Sequence, residues 1–193
     1  MKRRELIQSL TLMGIGATVL KYQTPTNMHD RKLPMIFAGL GNTPCNMIDY
    51  FKECGLAIPM PNLYIQNYEK IKHLGWMISD LISDFEVLAT SMNRYLLIVS
   101  PSERKMKDLA SGMVYILHEY NIEYHVIIIG PFPFEGKYRF EQTNKFIDEC
   151  YGASSIKHVE MKNVIKQYGQ MIFSDAFISL YDDLMIYVEH NIL

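Results

Sequence analysis

Short apolar runs alternate along most of the chain with longer segments whose apolar residues recur at helical spacing. Two of the runs, YLLIVS and YHVIIIG, are almost wholly apolar, as expected when helices cover both faces of a parallel sheet. The pattern predicts five strands, the last one weaker, at 35–39, 62–66, 95–100, 124–130 and 156–161. Helical patterns lie between and after them at 43–54, 71–90, 102–120, 137–151 and 171–191. This order predicts an α/β fold, a doubly wound and mainly parallel sheet with helices on both faces.

We place this domain at residues 35–193, and the residues ahead of it have a different pattern. Residues 1–22 begin with MKRR and continue with the apolar stretch LTLMGIGATVL, which resembles a twin-arginine export signal. The alternative is an N-terminal helix with one apolar stripe that lies on a membrane surface or on the domain. The stripe consists of Leu6, Leu10, Met13, Ala17 and Leu20. Residues 23–34 contain two prolines and many polar residues, which is typical of a linker.

Composition and charge exclude several classes of protein. The chain has 193 residues, of which 49% are hydrophobic and 21% charged, so it is neither disordered nor collagen-like. The net charge of −2 gives no general argument for nucleic-acid binding, although six basic and two acidic residues make the first 32 residues basic. Three scattered cysteines form no disulfide framework and no zinc site, and they fit a reducing compartment. We expect no metal site.

Ligand sites in such folds lie in the loops at the carboxyl ends of the strands. The loop after the first strand, GLGNTPCN at 39–46, has two glycines ahead of a helix whose N-terminal N–H groups suit an anion. A tight strand-to-helix turn needs glycine for steric reasons as well, so the loop alone leaves both interpretations open. After the third strand, Ser100 and Glu103 have capping-box spacing around Pro101, which predicts a helix start. The basic residues of this helix, Arg104, Lys105 and Lys107, either form a solvated face, which the pattern favours, or reach an anion.

Two further segments carry residues suited to a nucleotide. Glu135 and Arg139 lie four residues apart at the start of a helix, so they form either an ion pair or a ribose acceptor beside a ribose or phosphate donor. In the final helix, the Phe177 ring could stack on a base, and the Asp182 carboxylate could accept the N1–H and N2–H of guanine. The structural alternatives are a core aromatic and a solvated carboxylate.

Together these segments resemble the tubulin/FtsZ family of GTP-binding cytoskeletal proteins. The run PFPFEGKYR at 131–139 is similar to the P-F-x-F-E-G-K-x-R run of FtsZ, at the same place after a strand. In the final helix, DAF at 175–177 and DDL at 182–184 resemble the FtsZ pattern D-A-F-x-x-x-N-D-V-L. The first loop resembles a degraded G-G-G-G-G-N-A-V-N, and Asn67 falls where FtsZ has N-T-D. The resemblance spans residues 35–190.

The resemblance implies the fold of the FtsZ/tubulin N-terminal GTPase domain, with GTP or GDP as the ligand. It implies that Glu135 binds the ribose and that Arg139 binds the ribose or a phosphate. It further implies that Phe177 stacks on guanine and that Asp182 binds the N1 and N2 edge of the base. The residues implied for the base and phosphate side of the first loop are Gly39, Gly41, Asn42 and Asn46.

The sequence also departs from the family. Where the GGGTGTG signature is expected, the chain has SERKMKD at 102–108, which contains no glycine and places Glu103 near the phosphates. The region between Asn67 and Tyr95 is shorter than in FtsZ and has no glycine-rich third loop. The family's second domain, with its N-x-D-x-x-D catalytic loop, has no counterpart in these residues. We therefore expect no catalytic residue and no autonomous GTPase activity.

These observations favour a divergent FtsZ/tubulin-like domain, either guanine-nucleotide-binding or a pseudo-GTPase, that acts through contacts with an FtsZ-like protein or with itself. We expect it in the cytoplasm, with membrane contact through residues 1–22 as an option and without nucleic acid. One alternative is a GTPase whose site a partner subunit completes. Another is an exported or membrane-associated protein that has lost nucleotide binding, which the leader would favour.

Overall fold

The structure, a computed structural model, describes residues 34–58, 63–65, 81–83, 85–86, 89, 94–102 and 104–193. The predicted leader, the linker up to residue 33, Asn67 and Glu103 lie outside the described residues, as does most of the predicted helix at 71–90. Residues 81–83 and 85–86, at the end of that segment, are helical. Within the described ranges, no helix has the length and apolar character needed to cross a bilayer.

One parallel sheet of five strands forms the centre of the domain, in the order β2-β1-β3-β4-β5. Its strands are β1 (Met35–Leu40), β2 (Leu63–Ile65), β3 (Arg94–Val99), β4 (Tyr124–Ile129) and β5 (Ser155–Val159). All five predicted strands are therefore confirmed. The fifth ends at Val159, two residues earlier than predicted, because the chain turns there into a helix.

Among the described residues, five helices with defined bounds connect or follow these strands. They are α1 (Asn42–Glu53), α2 (Arg104–Glu119), α3 (Lys137–Glu149), α4 (Met161–Tyr168) and α5 (Phe173–Asn191). The prediction of α1, α2, α3 and α5 is confirmed, whereas α4 was not predicted. The predicted capping box is wrong in one respect: α2 begins at Arg104, so Pro101 is not in its first turn and Ser100 is not its N-cap.

Successive strand residues face two separate cores. In β3, Tyr95, Leu97 and Val99 pack on the side of α2 and α3. Leu96 and Ile98 of the same strand pack on the side of α1, α4 and α5. Every residue of β3 and β4 is buried, which explains why these strands have almost continuous apolar sequences. The predicted α/β architecture with helices on both faces is confirmed.

The strand order reverses at β1. The chain passes from β1 to its neighbour β2 on one side and then returns to β3 on the other side. The loops that follow β1 and β3 consequently diverge, and they leave a crevice at the carboxyl edge of the sheet. Open α/β sheets bind ligands at this position, so the topology itself indicates where a site should be sought.

Candidate functional site

A cavity of about 210 Å³ opens in this crevice. The loops after β1, β3 and β4 surround it, together with the first turn of α4 and the early part of α5. Five of the eight predicted site residues line it: Gly41, Asn42, Glu135, Arg139 and Phe177. The other lining residues are Thr43, Ser100, Ser102, Met106, Ile129, Gly130, Phe132 and Met161. Segments that are far apart in the sequence thus meet at one point.

The loop after β1 is held by its backbone. The Gly41 N–H donates to the carbonyl of Ile65 at 2.8 Å, and the Gly41 carbonyl accepts the N–H of Cys45 at 3.2 Å. Gly41 has φ 112° and ψ 165°, a conformation that is essentially restricted to glycine. Because Pro44 has no N–H, the amides that this end of α1 offers to an anion are those of Asn42 and Thr43.

Gly39 and Asn46 do not line the cavity. Gly39 lies within β1, where a Cβ atom would come within 3.0 Å of Ile48 Cδ1 and 3.2 Å of the Cys45 Cα. The absence of a side chain at Gly39 therefore lets α1 pack closely on the sheet. The Cys45 thiol donates to the Gly39 carbonyl at 3.3 Å, and burial raises the pKa of this thiol to about 12. Asn46 is exposed on α1.

The loop after β4 is held by side chains. It contains a 3₁₀ turn at Pro133–Glu135 and leads through Gly136 into α3. Glu135 Oε2 accepts the Phe132 N–H at 2.6 Å, and Glu135 Oε1 accepts a hydrogen bond from Arg139 Nη1 at 2.9 Å. The predicted pair between these charged residues is thus present. Arg139 Nη1 also lies 3.4 Å from Ser102 Oγ, so the guanidinium bridges the loops after β3 and β4.

On α5, the two predicted residues have different surroundings. Phe177 lines the cavity, and its ring centroid lies 4.8 Å from that of Phe173 and 6.3 Å from that of Phe132. Asp182 is not among the lining residues. Its Oδ1 atom accepts a hydrogen bond from the Tyr50 hydroxyl of α1 at 2.7 Å, and this bond is the main cause of a raised Tyr50 pKa.

The domain shares its architecture with a solved structure. It is similar to CetZ from Methanosaeta thermophila strain DSM 6194, with a TM-score of 0.52, 16% sequence identity and a match over 81% of this chain and 52% of that one. The chain has the tubulin/FtsZ fold. The fold resemblance drawn from the PFPFEGKYR run and the final helix is therefore confirmed.

A second structure with the tubulin/FtsZ fold matches less well. It is TubZ of Clostridium botulinum phage c-st, with a TM-score of 0.48, 11% identity and a match over 84% of this chain and 62% of that one. The chain spans about half the length of the CetZ structure. No protein-family model and no curated protein matches the sequence.

The structure adds residues to the cavity that the sequence did not single out. Ser102 faces it because residues 101 and 102 form a turn, where the sequence predicted the beginning of a helix. Three hydroxyl-bearing residues, Thr43, Ser100 and Ser102, line the cavity. The only available signal was their position directly after apolar strands, at the edge where ligands bind. Among the described residues, no group of three or more His, Cys, Asp or Glu could hold a metal ion.

The described residues fit the ribose and phosphates of the nucleotide that the sequence resemblance implies better than they fit its base. Hydroxyl groups, the amides at the start of α1 and the Arg139 guanidinium suit phosphate and ribose oxygens. The Glu135 carboxylate suits a ribose hydroxyl, since an ionised carboxylate accepts several hydrogen bonds. For the base, the cavity offers the Phe177 ring but not the Asp182 carboxylate.

Proposed function

We propose that the chain is a divergent domain of the tubulin/FtsZ fold that binds the ribose and phosphate groups of a nucleotide and acts through protein contacts. One observation carries the proposal: a single cavity at the carboxyl edge contains residues from the glycine loop, from PFPFEGKYR and from the final helix. GTP and GDP are the ligands that the resemblance implies. The binding residues proposed within the cavity are Gly41, Asn42, Glu135, Arg139 and Phe177.

Arg139 is central to phosphate binding in this proposal. Both of its contacts use Nη1, whereas a guanidinium carries five N–H groups, so it can bind an anion while it still bridges Glu135 and Ser102. The N-terminal end of α1, which also lines the cavity, adds the positive end of the helix dipole. The two together suit one or two phosphate groups.

The test is a binding titration of the full chain. Released material from denatured protein is first run on an ion-exchange column to detect bound nucleotide, and the emptied protein is then titrated with GDP. We expect micromolar affinity, weakened about 10-fold or more in Arg139→Ala because a hydrogen bond to a charged group is lost. Arg104→Ala is the matched control, since Arg104 is exposed, pairs with Asp108 on α2 and does not line the cavity. Absence of binding up to millimolar GDP would overturn the proposal.

Exposed apolar side chains beside the cavity support the proposed protein contacts. Phe134, Ile172 and Phe173 are 81%, 73% and 67% exposed, and such patches mark interaction surfaces. The proposed partner is an FtsZ-like protein or a second copy of the chain, in the cytoplasm. Sedimentation of the full chain, alone and with an FtsZ-like protein, tests this, and Phe173→Glu should weaken the association. Tyr115→Glu, an exposed aromatic position on α2, serves as the control.

Hydrolysis is a separate question. In our proposal the chain binds nucleotide without an autonomous GTPase reaction. Phosphate release from GTP should therefore equal that of buffer when the chain is alone. Release that appears only with an added FtsZ-like protein would instead support the alternative in which a partner completes the site.

A further inference from the structure

Two tyrosine side chains, Tyr50 of α1 and Tyr181 of α5, connect these helices next to Phe177, which lines the cavity. The Tyr50 hydroxyl donates to Asp182 Oδ1 at 2.7 Å, and the centroids of the Tyr50 and Tyr181 rings lie 5.6 Å apart. Tyr181 in turn meets Phe177 edge-on, at 5.9 Å between centroids. A continuous row of rings therefore runs from the cavity lining at Phe177 to the Tyr50–Asp182 hydrogen bond.

This row is anchored on the hydrophobic core. Tyr50, Tyr181 and Phe177 all pack against the cluster of buried residues between the sheet and α1, α4 and α5. The Tyr50 hydroxyl is protonated at neutral pH, as a tyrosine hydroxyl ordinarily is, and its bond to the Asp182 carboxylate raises its pKa further. It therefore acts as a hydrogen-bond donor to Asp182 throughout the physiological range. A base that approached Asp182 would have to displace both this hydroxyl and the ring that carries it.

We propose that Tyr50 occupies the position from which a guanine base would contact Asp182, so that the site binds purine nucleotides without distinguishing guanine from adenine. This inference rests on the proposed function. Guanine presents an N1–H and N2–H pair that only a hydrogen-bond acceptor can select. The Asp182 carboxylate does not line the cavity, and the Tyr50 side chain lies against it with its hydroxyl bonded to Oδ1.

The base would instead be held by stacking. Phe177 reaches the cavity, and Phe132 and Phe173 lie beside it, at 6.3 and 4.8 Å between ring centroids. Stacking on an aromatic ring tolerates any base because every base has a π-face. Strong discrimination, by contrast, needs buried polar groups that are left unpaired by the wrong ligand. The described site therefore suits guanosine diphosphate and adenosine diphosphate equally well.

The test compares GDP and ADP as ligands of the full chain. We expect dissociation constants for GDP and ADP within about threefold of each other, since the Asp182 carboxylate, which would distinguish them, does not line the cavity. Asp182→Asn should leave both unchanged, and Phe177→Ala should weaken both in parallel. Tyr50→Ala removes the ring and releases the carboxylate, so GDP should then bind about 10-fold tighter than ADP. The double variant Tyr50→Ala/Asp182→Asn should lose this preference for GDP over ADP. Tyr50→Phe, which keeps the ring, should show no preference.

The outcomes separate this inference from the proposed function. If the unaltered chain binds GDP about 10-fold tighter than ADP and Asp182→Asn abolishes the preference, the inference is wrong and nucleotide binding stands. If Tyr50→Ala folds, as judged by circular dichroism, and gains no preference, Tyr50 is not the obstacle and the inference is wrong. If neither nucleotide binds at millimolar concentration, the proposed function fails, and the inference fails with it.

Discussion

The loops after β1 and β4 line the same cavity but are held in place in different ways. The β1 loop depends on its backbone, through the hydrogen bonds of Gly41 and a conformation that is restricted to glycine. The β4 loop depends on side chains, because both oxygens of Glu135 accept hydrogen bonds within the loop and the helix it leads into. A loop held by side chains requires a specific sequence, whereas one held by its backbone requires only its glycines. The sequence of the β4 loop is therefore much easier to recognise than that of the β1 loop.

We expect the largest effect in the reactivity of the three cysteine thiols, because a buried thiol reacts only when the structure around it opens. Cys54 is exposed, whereas Cys45 in α1 and Cys150 after α3 are buried, and burial raises the pKa of both to about 12. The thiolate is the reactive form, so at pH 8 only about one in 10⁴ of such thiols is reactive. Labelling by a thiol reagent, followed by mass spectrometry, should modify Cys54 at least about 100-fold faster than the other two. Equal rates at all three cysteines would contradict the described packing.

Replacing the glycine of each loop distinguishes the two regions more sharply. Gly41 (φ 112°, ψ 165°) and Gly136 (φ 89°, ψ 160°) share the strained conformation, so alanine at either should cost about 1–3 kcal/mol of the free energy of unfolding. Gly41→Ala should cost more free energy than Gly136→Ala, because the new Cβ atom would meet the Ser100 Cβ at 3.3 Å. A Cβ atom at Gly136 would have no described atom within 4 Å. Urea unfolding measures the free energy of unfolding of both variants. Only Gly41→Ala should accelerate the labelling of Cys45.

Within the β4 loop, Glu135 should matter more than its partner Arg139. Glu135→Ala leaves the Phe132 N–H and the guanidinium without their acceptor, which should cost about 1–2 kcal/mol. Arg139→Ala should cost less than about 1 kcal/mol, since a partly exposed ion pair contributes little. Glu135→Gln, which retains one acceptor oxygen, should lie between the two. An Arg139→Ala variant less stable than Glu135→Ala would show that the guanidinium, and not the carboxylate, holds the loop.

The smallest effect concerns His158 of β5, which lies against the start of the β4 loop, 3.0 Å from where a Gly130 Cβ would be. Burial is the main cause of the lowered pKa of His158, so the folded state favours the neutral ring. The unfolded chain therefore binds a proton at this histidine more readily than the folded chain does. The stability that the neutral ring contributes is present above pH 6.5 and is lost as the pH falls below that value through the pKa of the folded state.

Urea unfolding between about pH 7.5 and 5 tests the role of this histidine. His158→Gln should lose less stability over that range than the unaltered chain. Glu160, whose pKa is lowered mainly by its hydrogen bond with Lys162, titrates below 4.5 and does not interfere in this window. A variant with the same pH dependence as the unaltered chain would exclude His158 as the titrating group.

Much of the fold could be predicted because its determinants are local. The apolar sequences of β3 and β4 and the helical spacing of α2 each occupy one stretch of chain. The helix α4 was not predicted, since it has eight residues and only Met161 and Val164 are buried. The cavity was predicted in part, because Glu135 and Arg139 lie only four residues apart in the sequence. The bond between Tyr50 and Asp182 joins residues 132 positions apart, and no local pattern encodes such a pair.

The position of β1 in the sheet has a consequence for synthesis on the ribosome. Its partner β2 ends 25 residues after β1, and its partner β3 ends 59 residues after it. At the usual rate of about 5–20 residues per second, β1 waits roughly 3–12 s before both of its edges can pair. Until then it is an apolar strand with unpaired N–H and C=O groups, the kind of surface that chaperones and aggregates capture. The strand that leads into the glycine loop of the cavity is thus also the one whose folding depends most on the rate of translation.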